Sequence, residues 1–286
     1  LEKRLVAQKK EEKIPMNDKF GFTGRTRIQK VEYNHGRCRL ALLRQIVAKR
    51  NIRPDVAIGT VGGWIERESN LGENGSCWIY PDCYVCDYAV VADESTIRDY
   101  SSITGYATVI GESRIWGNVH ISGAALVEDA SLLYNVIATD NAVIKGACAS
   151  RNVSLYDNSV VEGRVYLRKD VTLLEDAKVF APVGQGFHLV NSRLGHGAYI
   201  TKENDCDNWY DPIEGRWFTA YTDDDGGLYV AGWIECGEVT MLYTDLLDYL
   251  QTLSTVSDDY MANKFSRHLS FFREVKYDIE DQLQKP

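Results

Sequence analysis

At 286 residues, with 44% apolar and 26% charged residues, the chain has the make-up of a soluble globular protein of one large or two modest domains. No apolar run approaches the ~18 residues of a membrane-spanning helix, and no apolar leader core follows the basic N-terminus, so a cytoplasmic protein with no membrane partner is expected. Seven cysteines, odd in number and scattered, argue against a disulfide framework and for small core positions in a reducing compartment.

Leu1 to Lys13 is highly charged, carries little apolar content and precedes Met16, a natural start. Residues 1–18 therefore read as an extension, disordered or loosely helical, outside the fold. Interspersed glutamates argue against a basic arm, and no nucleic-acid partner is expected. Thr26 to Tyr33 and Arg37 to Ala48 read as two strands joined at Asn34-His35-Gly36. Residues 19–75 form a β cap over the first coil of a repeat region that begins at Ser76, because an open solenoid end exposes strand edges and an apolar interior. Gly62-Gly63 predicts close backbone approach or positive φ. Gly59-Thr60-Val61-Gly62-Gly63 lacks the lysine and the strand-to-helix setting of a phosphate-binding loop.

Ser76 to Asn135 divides into ten six-residue units: SCWIYP, DCYVCD, YAVVAD, ESTIRD, YSSITG, YATVIG, ESRIWG, NVHISG, AALVED and ASLLYN. The fourth place is always aliphatic, from Ile79 and Val85 through Val127 to Leu133, and the second is always small or β-branched. A period of six fits neither an amphipathic helix nor a long flat strand; it fits a short strand plus a turn, repeated around a prism. Places two and four point to one side, because side chains alternate along a strand. Asp, Gly and Asn at place six suit the left-handed backbone of sharp corners.

This alternation resembles the hexapeptide repeat of left-handed parallel β-helices, in which three units make one triangular coil. The stretches Ala41 to Ala48, Gly59 to Glu66 and Asn70-Leu71 to Tyr80 are similar to the YdcK-like β-helix proteins of enterobacteria and their phage-encoded relatives, over roughly residues 20 to 180. Handedness, three units per coil and an acetyltransferase label without an established activity are what that resemblance implies. A phage-encoded member would work in the host cytoplasm.

After Asn135 the frame shifts, and from Asn152 it recovers with Leu155, Val161, Leu167, Leu173 and Val179 six apart. Val136 to Arg151 is expected to hold a local irregularity, a bulge or an outward loop. After a loop near Ala181 to Phe187, Ser192 to Leu194 and Ala198 to Ile200 suggest a last pair of units, which places the solenoid at 76–202. Residues 203–286 then read as a small acidic α+β lobe: from 201 onward, 18 acidic residues face 7 basic ones. Arg216 to Thr222 and Gly227 to Ile234 are expected strands around Asp223 to Gly227. Met241 to Leu253 and Asp258 to Leu283 are expected helices, the second with Met261, Phe265, Leu269, Phe272, Val275 and Ile279 on one face. The fold class is thus mainly β, a left-handed parallel β-helix with an N-terminal β cap and a C-terminal α+β lobe. The long helix is expected on the hairpin, on the solenoid end or in an oligomer contact.

By the family resemblance, an acyltransferase would use a histidine as general base, with acyl-CoA along the coils and acetyl-CoA as cosubstrate. Among His35, His120, His188, His196 and His268, the best candidate is His196, between Gly195 and Gly197 at a corner. Spacing alone pairs no carboxylate with it, and a surface histidine is the plainer reading. Cys83 and Cys86 have the spacing of a zinc or redox pair, but one sits at an inward place and the other at an outward place, so no metal is expected. Asp205, Asp207 and Asp211, or Asp223 to Asp225, lack EF-hand spacing and read as solvated loops.

If every third unit stacks, units 76–81, 94–99, 112–117 and 130–135 share one wall. Its outward places hold Trp78, Tyr80, Thr96, Arg98, Arg114, Trp116, Leu132 and Tyr134. Solvent alone would not gather Trp, Tyr and Arg on one strip, and such residues anchor interfaces or stack on bases beside phosphates. The plain alternative is intramolecular cover by the N-terminal hairpin or the C-terminal helix. Three functions suit this pattern: a non-catalytic binding or scaffold solenoid, self-assembled or with a protein partner; a phage-type sponge that sequesters a nucleotide signal; and a CoA-dependent acyltransferase through His196. The first is the main expectation, with no cofactor.

Overall fold

The computed structural model describes residues 17–33, 37–213, 216–223, 227–234, 237–257 and 259–283. The expected extension before Asn17, the Asn34-His35-Gly36 turn and most of the Asp223 to Gly227 turn lie outside them. Among the described residues no helix is long and apolar enough to cross a membrane.

The six-residue period folds into a parallel β-solenoid with three walls. One sheet has 10 strands and the other two have 7 each, and successive rungs stack along every wall. The predicted inward residues are buried: Ile79, Val85, Val91, Ile97, Ile103, Val109, Ile115, Ile121 and Val127 form one continuous core with the small residues at place two. The corners also match the expected chemistry. Asp87, Asp93, Asp99, Gly105, Gly111, Gly117, Gly123 and Asp129, all at place six, have φ between 50° and 85°. Aspartates then tie one corner to the next, as where Asp93 Oδ2 accepts from Gly111 N at 3.0 Å and Asp87 Oδ2 from Gly105 N at 3.0 Å.

The frame changes earlier than expected, and in a different manner. Paired residues are 18 apart from Thr96 to Arg114, 17 apart from Arg114 to Ser131 and from Ser131 to Cys148, and 18 apart again from Cys148 to Tyr166. Two successive coils each drop one residue, the second between Lys145 and Cys148, so the irregularity expected within Val136 to Arg151 is a missing residue and not a bulge or loop. The first shortened coil exchanges the roles of Leu132 and Leu133: Leu132 is 0% exposed and paired with Ile115, whereas Leu133 pairs with Trp116 on the outside. Further on, an insertion at Pro182 to Gln185 lengthens the step from Tyr166 to His188 to 22 residues.

Strands β1 (Phe20–Tyr33) and β2 (Arg37–Ala48) form an antiparallel hairpin, and β2 continues antiparallel to β3 (Val61–Ile65), which starts the first wall by pairing parallel to Tyr84–Val85. The hairpin strands are far longer than a rung. Their overhang covers the outside of that wall, where Val31, Ala41 and Leu43 bury Cys86 beside Trp64 and Tyr84. Arg27 stacks on both rings, and Arg39 ties the hairpin to Glu66 and Asp87. Gly62 and Gly63 provide close approach without positive φ: a Cβ on Gly63 would lie 2.6 Å from the Tyr80 carbonyl oxygen.

The C-terminal lobe is a four-stranded antiparallel sheet (Cys206–Asp211, Arg216–Thr222, Leu228–Ile234, Gly237–Leu242) with helices α1 (Tyr243–Val256) and α2 (Asp259–Leu283). Sequence reading misses the outer two strands; the last of them takes in Met241 and Leu242, so the first helix runs from Tyr243 to Val256 and not from Met241 to Leu253. Alternation assigns the two faces of the sheet. Phe218, Ala220 and Val230 pack on Phe265, Leu269, Phe272 and Ile279 of α2, while Tyr221 and Ala231 close the last coil. The Tyr221 hydroxyl accepts from Gly195 N at 3.3 Å and donates to the His196 carbonyl at 3.2 Å.

Candidate functional site

The second wall presents the predicted Trp, Tyr and Arg strip, and the chain treats its two halves differently. The upper half is covered by residues 46–62, the end of β2 and the segment after it, so the cover comes from the N-terminal cap and not from the C-terminal helix. Trp78 is wholly buried, with Ile46 and Gly62 against it. Arg53 donates to the carbonyls of Ser76 at 3.2 Å and Glu94 at 3.0 Å. Asp55 accepts from the Tyr80 hydroxyl at 2.5 Å and from Arg98 Nη2 at 2.7 Å, and the Arg98 guanidinium lies 3.7 Å from the Tyr80 ring centroid. Burial, with the bond to Asp55, pushes the Tyr80 phenol up to about 12. The Asp55 carboxyl is held below its usual range, first by Tyr80 and then by Arg98.

Below this the wall is open. Arg114 is exposed, Trp116 is 46% exposed and Tyr134 49%. The shortened coil moves Tyr134 from the wall to the corner, at φ 58°, where its ring meets Trp116 with centroids 5.9 Å apart. Gly117 makes room, since a Cβ there would lie 2.9 Å from Tyr134 Cδ1. Sequence reading stopped at this coil and missed the continuation. Arg151 and Lys169 succeed Tyr134 at the corner and are exposed, while Tyr166 stacks on His188 at 4.7 Å with Arg168 5.6 Å from the Tyr166 centroid. The signal was present in the recovered frame, which places Tyr166 and Arg168 at outward places three and five. The strands of this half (Arg114–Trp116, Ser131–Leu133, Cys148–Ser150, Arg164–Arg168, Gly186–Val190) contain no carboxylate. The strip ends at a polar cleft of about 490 Å³, bounded by His188, Ser192, Glu203, Asp207, Asn208 and Gln282.

His196 lies elsewhere, at the last corner, exposed and against the lobe. Its Nδ1 is 3.7 Å from Asp176 Oδ1 and 3.8 Å from Glu175 Oε2, carboxylates that stacking brings from one coil above and that spacing could not show. Among the described residues these three side chains are the outward-facing group able to share a cation; Glu66, Cys86 and Asp87 also cluster, but Arg39 occupies the carboxylates. Cys83 is inside the prism and Cys86 under the hairpin, and burial pushes the Cys83 thiol up to about 12. His120 shares a 2.7 Å hydrogen bond with Ser102, and burial lowers its pKa. The acidic residues disperse: Asp205 accepts from Thr201 N and Lys202 N, while Asp211 is buried 3.1 Å from His268.

Rungs of six residues, stacked in parallel around an apolar prism, define a hexapeptide-type β-solenoid. No family model matches the chain. A stretch of 39 residues, 14% of the chain, is 56% identical to a protein of Escherichia coli (strain K12) described as uncharacterized acetyltransferase YdcK, and covers 12% of that protein's length. The stretch and the rungs together fit a hexapeptide-repeat family.

Proposed function

We propose that this solenoid is a binding protein without catalytic activity, and that the open half of the second wall holds its partner. One observation carries the reading: Arg114, Trp116 and Arg168, on strands without a carboxylate, stay exposed beside Tyr134 and Arg151 at the adjoining corner, while the chain covers the upper half of the same wall itself. Guanidinium groups beside aromatic faces suit an anionic, flat ligand such as a nucleotide, where stacking contributes roughly 1–3 kcal/mol per base. An acidic protein surface or a second copy would use the same groups. Native mass spectrometry of the freshly purified protein distinguishes these: a stoichiometric extra mass points to a small ligand, a clean oligomer to self-assembly, and a clean monomer to a foreign protein. Whichever partner is found, Trp116→Ala and Arg114→Ala are expected to weaken it about tenfold or more, and Arg98→Ala little, because Asp55 already holds Arg98. Equal loss with Arg98→Ala and none with Trp116→Ala would sink the assignment.

A second reading rests on His196. The nearby Asp176 and Glu175 could orient its ring and leave Nε2 as a general base for acyl transfer. It requires acetyl-CoA turnover that disappears in His196→Ala. Turnover unchanged in that variant would remove His196 from the chemistry.

A further inference from the structure

Lys19 is 0% exposed, at the open end of the first coil. Its position is fixed from both sides: Asn17 Oδ1 accepts from the backbone N–H of Lys19 at 3.0 Å and of Phe20 at 3.2 Å, and the Lys19 carbonyl accepts from Lys49 N at 3.0 Å. The side chain reaches into the prism, where Nζ donates to the carbonyls of Gly72 at 2.8 Å and Asn74 at 3.2 Å. Its remaining contact is Cys77 Sγ at 2.9 Å, and Cys77 is also 0% exposed. Place two is elsewhere filled by serine, alanine, valine and, at Cys83, a second cysteine, so packing accounts for a small side chain at 77 but not for the amine set against it. The thiol adds a redox-active atom against an amine that two carbonyls hold in place.

We propose that Lys19 and Cys77 form a reversible covalent cross-link through one bridging oxygen, Nζ–O–Sγ, which locks the start of β1 onto the first coil. After the ammonium gives up a proton, dioxygen supplies the bridge: one oxygen atom inserts between nitrogen and sulfur, and the other leaves as water with one hydrogen from the amine and one from the thiol. Dioxygen takes four electrons, two from sulfur and two from nitrogen. Four equivalents of a small thiol return them, restoring the amine and the thiol and releasing the bridging atom as water. The bridged sulfur stands at the sulfenic level, the step of cysteine oxidation that thiols reverse, and the amine held 2.9 Å away is the group placed to share its oxygen. The link closes the chain between residues 19 and 77, which contributes stability chiefly by restricting the unfolded chain.

Intact-mass analysis of the full chain, exposed to air and then treated with dithiothreitol, tests this. Insertion of one oxygen with loss of two hydrogens adds about 14 Da, and the increment is expected to vanish with the reductant. Peptide mapping should join the segments that contain Lys19 and Cys77 and show trypsin failing to cut after Lys19. The increment should persist in Cys83→Ser and be absent from Cys77→Ser; should Cys77→Ser fail to fold, the mapped wild-type peptides decide alone. Recovery of both segments unlinked after air or hydrogen peroxide overturns the proposal. So does an increment that survives dithiothreitol, since that is a methyl group, and so does oxidation of Cys77 to a sulfinic acid with Lys19 free.

Discussion

Asp55 holds two side chains, Tyr80 and Arg98, that would otherwise belong to the open strip. The pair titrates in two windows. The Tyr80 phenol is raised to about 12 in the fold, so its contribution is complete below its ordinary value of about 10 and is lost as pH rises from there through about 12. The Asp55 carboxyl is lowered, so its contribution is present above its ordinary value of about 4 and is lost as pH falls below that. Tyr80→Phe is expected to cost about 1 kcal/mol at neutral pH in urea unfolding and to flatten the decline above pH ~10. Asp55→Asn should cost less than about 1 kcal/mol, because Asp55 and Arg98 are both nearly half exposed. An unchanged alkaline limb in Tyr80→Phe would refute the assignment. This contact was not legible in sequence: Asp55 lies outside the repeat, 25 residues from Tyr80 and 43 from Arg98.

A coil of 17 residues in place of 18 exchanges inward and outward places, because side chains alternate along a strand. Leu132 and Leu133 are adjacent and identical in kind, so composition cannot say which faces the core; only their pairing with Ile115 and Trp116 does. Leu132→Ala is therefore expected to cost about 2–5 kcal/mol, and Leu133→Ala about 1 kcal/mol or less, by chemical denaturation. The reverse order would restore the unshifted frame. The same shift sends Tyr134 to the corner, where Trp116 awaits it, and carries the strip on to Arg151, Tyr166 and Arg168. Reading the strip correctly thus depended on one missing residue in the coil before it.

Both solenoid ends are closed by structure that does not repeat. Lys19 and Phe20 fill the first coil, while Tyr221, Ala231 and Cys206 close the last, with α1 and α2 on the far side of the lobe's sheet. An uncapped rung exposes strand edges and an apolar interior together, which favours end-to-end association. Removing residues 203–286 should therefore turn the protein into larger assemblies, read by size-exclusion chromatography with light scattering. A truncated chain that elutes with its subunit composition unchanged would show that the last coil needs no cap. Polar groups join the apolar contacts at this end: Thr219 Oγ1 accepts from Arg193 N, Asn208 Nδ2 donates to the Val190 carbonyl at 2.9 Å, and Asp205 accepts from Thr201 N at 2.6 Å.

The chain alone carries its period, its corners and nine of the ten inward residues, because each rung repeats one local solution: a small and a large side chain inside, a left-handed residue at the turn. That solution is set by steric rules within six residues, so it is written six residues at a time. Which face stays open is settled only by the folded molecule. The hairpin overhang, the Asp55 clasp and the Glu175, Asp176 and His196 group all join residues from different coils or from outside the repeat. Stacking makes distant residues neighbours at the rung spacing, and a local pattern holds no record of what lies one coil above.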